Sequence, residues 1–267
     1  MTVPAAFEFY PGTVPLLISM PHSGTYVPSD LLTRFTESAR QVPDTDWHIP
    51  RLYECARTLG ASVLAATYSR FVVDQNRPPD NSSLYPGQSV TGLCPVDMFD
   101  DAPIYQPGQE PDEREVAQRR ETIWLPYHQK LEEELTRLLA LHGRVVLWDA
   151  HSIRSVVPRF FEGRLPDLNF GTANGQSCDP ALSERLMKTA LANQDYSSVL
   201  NGRFKGGYIT RHYGRPEQNI HAVQLEMAQC CYMQEQWPFA YNEEAAGRIQ
   251  PLIEALLRDA LAFATQA

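Results

Sequence analysis

The segment Arg144–Ser152 constrains the fold more than any other part of the sequence. It contains a short apolar run, Val145 to Trp148, followed by Asp149 and His151. A continuous apolar run that stops at polar residues predicts a strand buried on both faces, and we expect it to end at these two residues. In an open α/β sheet, ligands bind outside the carboxyl ends of the strands. His151 is therefore predicted to serve chemistry rather than packing.

A second apolar run, Val14 to Met20, leads in the same way into His22. Two buried strands that each lead into a histidine predict two imidazoles meeting at one edge of the sheet. Because neutral imidazole is a common metal ligand, this pair indicates a metal site. Gly24, in the turn that follows, allows the backbone to approach a ligand closely.

Asp44 and Asp46 are the candidates for a carboxylate ligand. They precede a helical pattern that runs from Ile49 to Gly60. Either acid alone is equally well explained as the N-cap of that helix. Two acids so close together, in a chain with two histidine-ended strands, favour a ligand role for one of them.

Glu226 is placed unusually for a carboxylate. It lies in a predicted strand, residues 221–228, whose alternation puts Val223, Leu225 and Met227 on one face and Glu226 on the other. A buried carboxylate without a partner is costly. We therefore expect Glu226 to have either an ion-pair partner in the core or a function.

The remaining patterns describe an α/β chain over residues 1–267, expected to be a single domain. Helices are predicted at 111–142, kinked or divided at Pro126, and at 180–193 and 243–264. Further strands are predicted at 62–67, 70–74 and 205–211. A loop rich in Pro, Gly, Ser and Asp spans about residues 78–111, with the length of a lid, a binding loop or a surface excursion.

Composition narrows the possible partners and locations. The net charge of −9 argues against binding to nucleic acid or to an anionic membrane. No apolar run approaches the about 18 residues of a membrane span, and the N-terminus lacks the pattern of a signal peptide. Five cysteines without CxxC spacing suit reduced thiols, so a cytoplasmic protein is expected. The sequence does not indicate an oligomeric state.

Seven short motifs, taken in order, carry a family resemblance. They are Pro21-His-Ser-Gly, Asp44-Thr-Asp-Trp, Asp74-Gln-Asn-Arg-Pro, Asp149-Ala-His-Ser-Ile-Arg, Asn169-Phe-Gly-Thr, Gly207-Tyr-Ile-Thr-Arg-His-Tyr-Gly and Gln224-Leu-Glu-Met. Together they resemble the N-formylglutamate amidohydrolase (deformylase) family over about residues 10–250. The resemblance implies hydrolysis of N-formyl-L-glutamate to formate and glutamate in histidine degradation. It also implies a zinc-exopeptidase or phosphorylase/hydrolase-like fold, with a mostly parallel, twisted mixed sheet flanked by helices.

The resemblance bears on the metal ligands as well. Zinc exopeptidases use a first motif of the form H-x-x-E, but here Thr25, three residues after His22, occupies the position of the glutamate. The carboxylate ligand must therefore come from elsewhere, with Asp46 as first candidate and Asp44 as second. We predict that Zn²⁺, or another divalent ion, is bound by His22, Asp46 and His151.

Glu226 is the predicted general base, and Asp149 is predicted to support His151. The leaving group, glutamate, carries two carboxylates, which suit the bidentate fork of arginine. Four arginines lie near the predicted strand ends: Arg77, Arg154, Arg159 and Arg211. Arg77 ranks first because Asn76-Arg77 is similar to the pair with which zinc carboxypeptidases hold a free carboxylate.

Two alternatives remain open at this point. The first is a related zinc amidohydrolase that acts on another N-acyl amino acid or on a peptide C-terminus. The second is a catalytically silent binding protein on the same scaffold, which the presence of His22, His151 and Glu226 together disfavours.

Overall fold

Seven strands form one mixed sheet in the structure, a computed structural model that describes residues 3–83 and 91–266. The strands are β1 (Phe7–Tyr10), β2 (Leu16–Met20), β3 (Ser62–Ala66), β4 (Val145–Ile153), β5 (Leu168–Gly171), β6 (Ser198–Leu200) and β7 (Ile220–Ala228). Their order across the sheet is β1-β3-β2-β4-β7-β5-β6. The central strands β3, β2, β4 and β7 are parallel, whereas β1 and β5 run antiparallel to their central neighbours. The predicted α/β fold with a mostly parallel mixed sheet is confirmed.

Helices cover both faces of this sheet. They are α1 (Ser29–Arg34), α2 (Ile49–Leu52), α3 (Cys55–Thr58), α4 (Glu113–Arg119), α5 (Leu125–His142), α6 (Pro180–Ala192), α7 (Tyr208–Tyr213) and α8 (Glu243–Thr265). A π-helical turn, Arg120–Trp124, joins α4 to α5, and Pro126 directly follows this turn, near the start of α5. The described helices include none that is long and apolar enough to cross a membrane.

Alternation along the central strands divides the core in two. Val146 and Trp148 of β4 pack on the face covered by α2, α3, α6 and α8, while Val145 and Leu147 pack on the face covered by α5 and α7. Asp149 and His151 follow Val145 and Leu147 on this second face of β4. The polar residues of β4 therefore continue the α5/α7 face toward the carboxyl end of the sheet.

The same alternation governs β7. Val223, Leu225 and Met227 lie in the first core cluster, and Ala222 lies in the second. Glu226 follows Ala222 by four residues, so it points to the same side as His151. As predicted, Glu226 lies on the opposite face of its strand from Val223, Leu225 and Met227.

Three predictions of secondary structure were wrong. The strand that starts at Val145 does not end at Asp149 and His151 but continues to Ile153, because β7 pairs with all nine of its residues. Residues 70–74 form a turn instead of a strand; Phe71, Val72 and Val73 are buried there in a loop cluster.

Residues 205–211 are not a strand either. They lead into helix α7, whose backbone Ile209 N–H donates to Asn76 Oδ1 at 2.8 Å. The predicted helix from Ile49 to Gly60 is divided into α2 and α3. Strands β1 and β6 were not predicted. Of the predicted loop at 78–111, residues 84–90 lie outside the described residues.

Candidate active site

Two histidines meet where β2 and β4 run side by side. His22 follows the last residue of β2 by two positions, and His151 lies near the end of β4. Parallel pairing of Ser19 with Asp149 brings these strand ends together. The two imidazole rings lie 4.8 Å apart between centroids, and both side chains are buried. The meeting of two imidazoles at the sheet edge follows directly from this register.

Asp46 completes a group of three possible metal ligands. Its Oδ2 atom lies 3.0 Å from His151 Nδ1 and 3.7 Å from His22 Nδ1. The donor atoms of the three residues all lie within 4.8 Å of one another. A backbone hydrogen bond of 3.0 Å from Asp46 N–H to His22 O fixes the loop that carries the carboxylate. Asp46 is buried, so its carboxylate is held in place for a cation.

Asp44 faces away from the histidines. Its Oδ2 accepts a hydrogen bond of 2.8 Å from Phe99 N–H, and its Oδ1 lies 3.2 Å from Arg154 Nη2. Burial raises the pKa of Asp44 to about 6, although Arg154 opposes the shift. The two acids of this loop thus have different surroundings, and only Asp46 contacts an imidazole.

A second carboxylate faces the far side of each imidazole ring. Asp74 Oδ1 lies 2.6 Å from His22 Nε2, and Asp149 Oδ1 lies 3.2 Å from His151 Nε2. Histidines that bind a metal commonly donate their other ring N–H to a carboxylate, which fixes the tautomer and the ring orientation. Both Nδ1 atoms are thereby presented to Asp46.

The charges around the three residues suit a cation. Burial lowers the pKa of His22, so its imidazole is neutral and available as a ligand. Burial opposes protonation of His151 too, but Asp149 and Asp46 raise its pKa well above the ordinary value. A divalent ion bound here would take the place of that proton, as expected where carboxylates converge on an imidazole. The donor set of two imidazoles and one carboxylate fits a divalent metal ion.

Arg70 is the buried cation of this region. Its Nη2 lies 2.6 Å from Asp74 Oδ2, and its Nη1 lies 3.2 Å from His22 Nδ1. Although burial opposes ionisation of Asp74, Arg70 holds the pKa of this carboxyl well below its usual range. The guanidinium therefore adds a fixed positive charge beside the ligand group.

Glu226 lies opposite His151 on the neighbouring strand. The two residues are paired in the parallel register of β4 and β7. Gln224 Nε2 lies 3.4 Å from Glu226 Oε2. Burial raises the pKa of Glu226 to about 8, although the charge of His151 opposes the shift. A carboxyl group with a pKa near neutrality is suited to both accept and return a proton.

A cavity of about 200 Å³ gives access to these groups. His22, His151 and Glu226 all lie on its wall. The arginines of the wall are Arg70, Arg77 and Arg203, and its aromatic residues are Phe99, Phe160 and Phe204. The cavity thus combines two of the three candidate ligands, one perturbed carboxyl group and three guanidinium groups.

Of the four arginines predicted from the sequence, Arg77 is placed on this wall. Its Nε donates to Thr91 O at 2.8 Å, and its Nη2 donates to Thr91 Oγ1 at 3.0 Å. Asn76 also lines the cavity, and its Nδ2 lies 2.9 Å from His151 Nε2.

The other three predicted arginines do not line this cavity within residues 3–83 and 91–266. Arg154 pairs with Asp44. Arg159 donates to Met98 O at 2.6 Å. Arg211 Nε donates to Gly206 O at 2.8 Å.

Comparison with known proteins shows which protein family the chain resembles. The family model described as N-formylglutamate amidohydrolase matches residues 14–233. The chain belongs to this family. A protein of Pseudomonas aeruginosa named N-formylglutamate deformylase is 55% identical over 256 residues, covering 96% of each chain. One of Pseudomonas putida with the same name is 52% identical over 259 residues, covering 97% of each.

Solved structures show the same fold. The N-formylglutamate amidohydrolase of Ralstonia eutropha JMP134 is 27% identical and superimposes with a TM-score of 0.81, over 98% of this chain and 97% of that one. A gene product of Agrobacterium tumefaciens superimposes with a TM-score of 0.76 over 98% and 97% of the two chains. At 19% identity, the second likeness concerns the fold alone.

Two arginines of this family member were missed by the sequence reasoning. Arg70 and Asp74 are four residues apart, a spacing that marks an ion pair in a helix or turn but places the side chains roughly 13 Å apart in a strand. Because residues 70–74 were interpreted as a strand, the ion pair between Arg70 and Asp74 was not predicted. Arg203 carried no local signal; only the fold brings it to the cavity wall.

Proposed function

We propose that this chain hydrolyses N-formyl-L-glutamate to formate and L-glutamate, as a step of histidine degradation. The observation that carries the proposal is the buried group of His22, Asp46 and His151. Its two histidines share a cavity wall with Glu226 and three arginines. Family membership and the names of the two Pseudomonas relatives support it. We further propose a cytoplasmic enzyme in which residues 1–267 act as one domain, as the composition and the absence of CxxC spacing favour.

His22, Asp46 and His151 would hold one divalent metal ion, and Zn²⁺ suits this donor set best. When bound, such an ion supplies Lewis-acid chemistry, because it polarises a carbonyl oxygen and makes water more acidic. Asp74 and Asp149 keep both imidazoles turned toward the ion. Because Thr25 replaces the glutamate of the H-x-x-E pattern, the carboxylate ligand would come from Asp46, in a later loop.

Glu226 would act as the general base. In its ionised form it takes a proton from the water that attacks the formyl carbon, and it returns that proton to the departing amine nitrogen. Its pKa of about 8 in a buried setting lets the same carboxyl group serve both transfers. The register that places Glu226 beside His151 positions the proton transfer next to the ligand group.

Arg70 would stabilise the negative charge that develops on the formyl oxygen. Its guanidinium is buried, lies against His22 and faces the cavity. A fixed cation in a water-poor site lowers the barrier most where charge appears only in the transition state. Its ion pair with Asp74 holds it in that position before substrate arrives.

Arg77 and Arg203 are proposed to bind the two carboxylates of the substrate. Both lie on the cavity wall, and the planar guanidinium fork matches a carboxylate with two hydrogen bonds. Arg77 remains the first candidate from the sequence. The other three predicted arginines contact groups away from the described cavity wall. To bind a substrate carboxylate, their side chains would have to move; they are Arg154, Arg159 and Arg211.

The decisive experiment measures turnover and metal content together on purified protein. N-formyl-L-glutamate should be hydrolysed much faster than N-acetyl-L-glutamate or a dipeptide, with about one divalent ion bound per chain. Preferred turnover of N-acetyl-L-glutamate or the dipeptide would identify a related amidohydrolase with another substrate. If fully metal-loaded protein hydrolyses none of these substrates, the result would instead support a binding protein without catalytic activity.

A further inference from the structure

A pair of neighbouring cysteines occupies the turn that follows β7. Gln229–Cys231 form a short 3-10 turn, and Cys230 is partly exposed while Cys231 is buried. The sulfur atoms of both cysteines and a carboxylate oxygen of Asp167 lie within 4.8 Å of one another. This thiol cluster, Asp167 with Cys230 and Cys231, is separate from the three proposed metal ligands. It has no part in the proposed hydrolysis.

Arg164 supplies the positive charge of the thiol cluster. Its Nη2 lies 3.3 Å from Cys230 Sγ and 2.7 Å from Asp167 Oδ1. The cluster lines a surface cleft of about 270 Å³, which is also lined by Arg248. A small reagent can therefore reach the Cys230 sulfur from solvent, beside a guanidinium group.

Cys230 differs from the other four cysteines in its electrostatics. The neighbouring Cys231 thiol lowers the pKa of Cys230, burial opposes this, and Arg164 lowers the pKa further. Glu235 acts in the opposite direction; its Oε1 accepts a hydrogen bond of 3.0 Å from Cys230 N–H. Burial raises the pKa of Cys55 and of Cys94 to about 11.

The two remaining thiols are held in their protonated form. Burial raises the pKa of Cys178 to about 12. The contact with Cys230, followed by burial, raises the pKa of Cys231. Reactive cysteines occupy electropositive, partly exposed positions, whereas buried thiols are inert. By that criterion Cys230 stands apart within this chain.

We propose that Cys230 is a reactive thiolate and a site of oxidation by hydrogen peroxide, modified in preference to Cys55, Cys94, Cys178 and Cys231. The thiolate sulfur attacks one peroxide oxygen; the S–O bond forms as the O–O bond breaks. The sulfur is oxidised by two electrons to a sulfenic acid, and the departing hydroxide takes a proton from solvent to become water.

Cys231 is poorly placed to convert this sulfenic acid into a disulfide. Neighbouring Cα atoms across a trans peptide are about 3.8 Å apart, below the roughly 4.4 Å at which disulfides usually begin. Condensation with a small external thiol is therefore the favoured fate. The Cys231 thiol donates to Asp167 Oδ1 at 3.5 Å, so the positive charge beside Cys230 comes from Arg164.

Oxidation is favoured over metal binding at the thiol cluster by the position of Arg164. Three donors of this type can hold a thiophilic cation, but the guanidinium already bridges Cys230 and Asp167. A cation would have to displace it and would face Arg248 across the same cleft. Arg164 contacts two of the three donors of the cluster, and its charge stabilises a thiolate at Cys230.

The test uses metal-loaded wild-type protein at pH 7. Limiting iodoacetamide, followed by mass spectrometry of peptides and fragment ions, gives the alkylation rate of each cysteine. Cys230 should react at least about ten-fold faster than any other. Dilute peroxide with dimedone should place the sulfenic-acid adduct on Cys230, and Cys230→Ser should abolish it.

Two arginine variants separate thiolate chemistry from simple exposure. Arg164→Gln should slow alkylation of Cys230 about 3- to 10-fold, because the thiolate fraction falls as the pKa rises. Arg120→Gln removes an equally charged surface residue that pairs with Glu121, and should leave the rate unchanged. The proposal is overturned if another cysteine reacts as fast as Cys230, or if Arg164→Gln matches wild type while its melting temperature is unchanged.

Discussion

Asp149 Oδ1 lies 3.2 Å from His151 Nε2, two residues farther along the same strand. Alternation brings the two side chains to one face of β4, and His151 Nδ1, on the other side of the ring, lies 3.0 Å from Asp46 Oδ2. The strand thus supplies both a proposed metal ligand and the group that orients it.

The first prediction follows from this contact. Asp149→Asn should weaken metal binding about 10–100-fold, the usual effect of losing a group that orients a histidine ligand. The measurement is competition for Zn²⁺ with a chromophoric chelator. Asp30→Asn, an exposed acid in the first turn of α1, is the matched control and should bind as wild type does. Unchanged affinity in Asp149→Asn would remove the proposed role of the carboxylate.

The second prediction concerns the two acids of one loop. Asp46→Ala should lose the metal ion, because its carboxylate is the one that faces both imidazoles. Asp44→Ala should keep the ion but lower the melting temperature, since Phe99 N–H and Arg154 lose a buried partner. Metal analysis and thermal melts on both variants check this. The opposite pattern would transfer the ligand role to Asp44.

The third prediction separates catalytic from structural glutamates. Glu226→Gln should lower kcat about 10²–10⁴-fold with KM little changed, because the swap removes a proton acceptor and keeps the shape. Metal content and melting temperature should persist. The matched control is Glu134→Gln, a buried glutamate that accepts hydrogen bonds from Ser62 and Arg137. That variant should melt earlier with kcat within a few-fold of wild type, and near-normal kcat in Glu226→Gln would end the proposed mechanism.

The fourth prediction tests carboxylate recognition. Arg77→Ala and Arg203→Ala should each reduce kcat/KM for N-formyl-L-glutamate about 30- to several-thousand-fold, since removing one partner of a desolvated charge pair costs about 2–5 kcal/mol. Arg77→Lys should also be poor, because lysine keeps the charge but lacks the planar fork. N-formyl-L-glutamine, which lacks one carboxylate, should be a poor substrate for wild type. The arginine that binds the side-chain carboxylate is the one whose loss removes the preference for the acid over the amide. A wild type that barely distinguishes acid from amide would contradict dicarboxylate recognition.

The fifth prediction concerns stability and pH. His128 is buried; its Nε2–H donates to Gln75 O at 2.8 Å, and burial lowers its pKa to about 3. The ordinary value in the unfolded chain is about 6.5, so between pH 6.5 and 3 the unfolded state binds the extra proton. The free energy of unfolding should therefore fall as the pH drops through this window.

Urea unfolding between pH 7 and pH 4 measures that slope. His128→Gln has no group to titrate there, and its unfolding free energy should depend less steeply on pH, by up to about 1.4 kcal/mol per pH unit. Other acid-sensitive groups, including the proposed ligands, are common to both proteins and cancel in the difference. Equal slopes would show that His128 is not the buried neutral histidine that the structure describes.

The parts of the fold that the sequence predicted well are those where local periodicity and burial agree. The apolar runs of β2, β4 and β7 are buried throughout, and alternation placed Glu226 on the polar face. The positions of His22 and His151 followed from the edge where parallel strands end.

The parts that sequence reasoning missed depend on distant contacts. Residues 70–74 have an apolar strand-like composition, but their side chains are buried by loop residues such as Leu93 and Met98 rather than by a sheet. Residues 205–211 became the start of a helix because Asn76, far away in the sequence, accepts a hydrogen bond from its first turn. No local pattern specifies such partners.

The order of the central strands also sets the order in which the site can be assembled during folding. The proposed ligands lie at positions 22, 46 and 151, and they meet only once β2 has paired with β4 across all of the chain between them. Contacts of such long sequence separation form slowly, because loop closure must precede any gain from pairing. A growing chain on the ribosome therefore has no complete binding site until residue 151 has emerged, and Glu226 joins later still, with β7. Metal uptake should coincide with the final cooperative phase of refolding, and chelators should act on the folded protein rather than on its early intermediates.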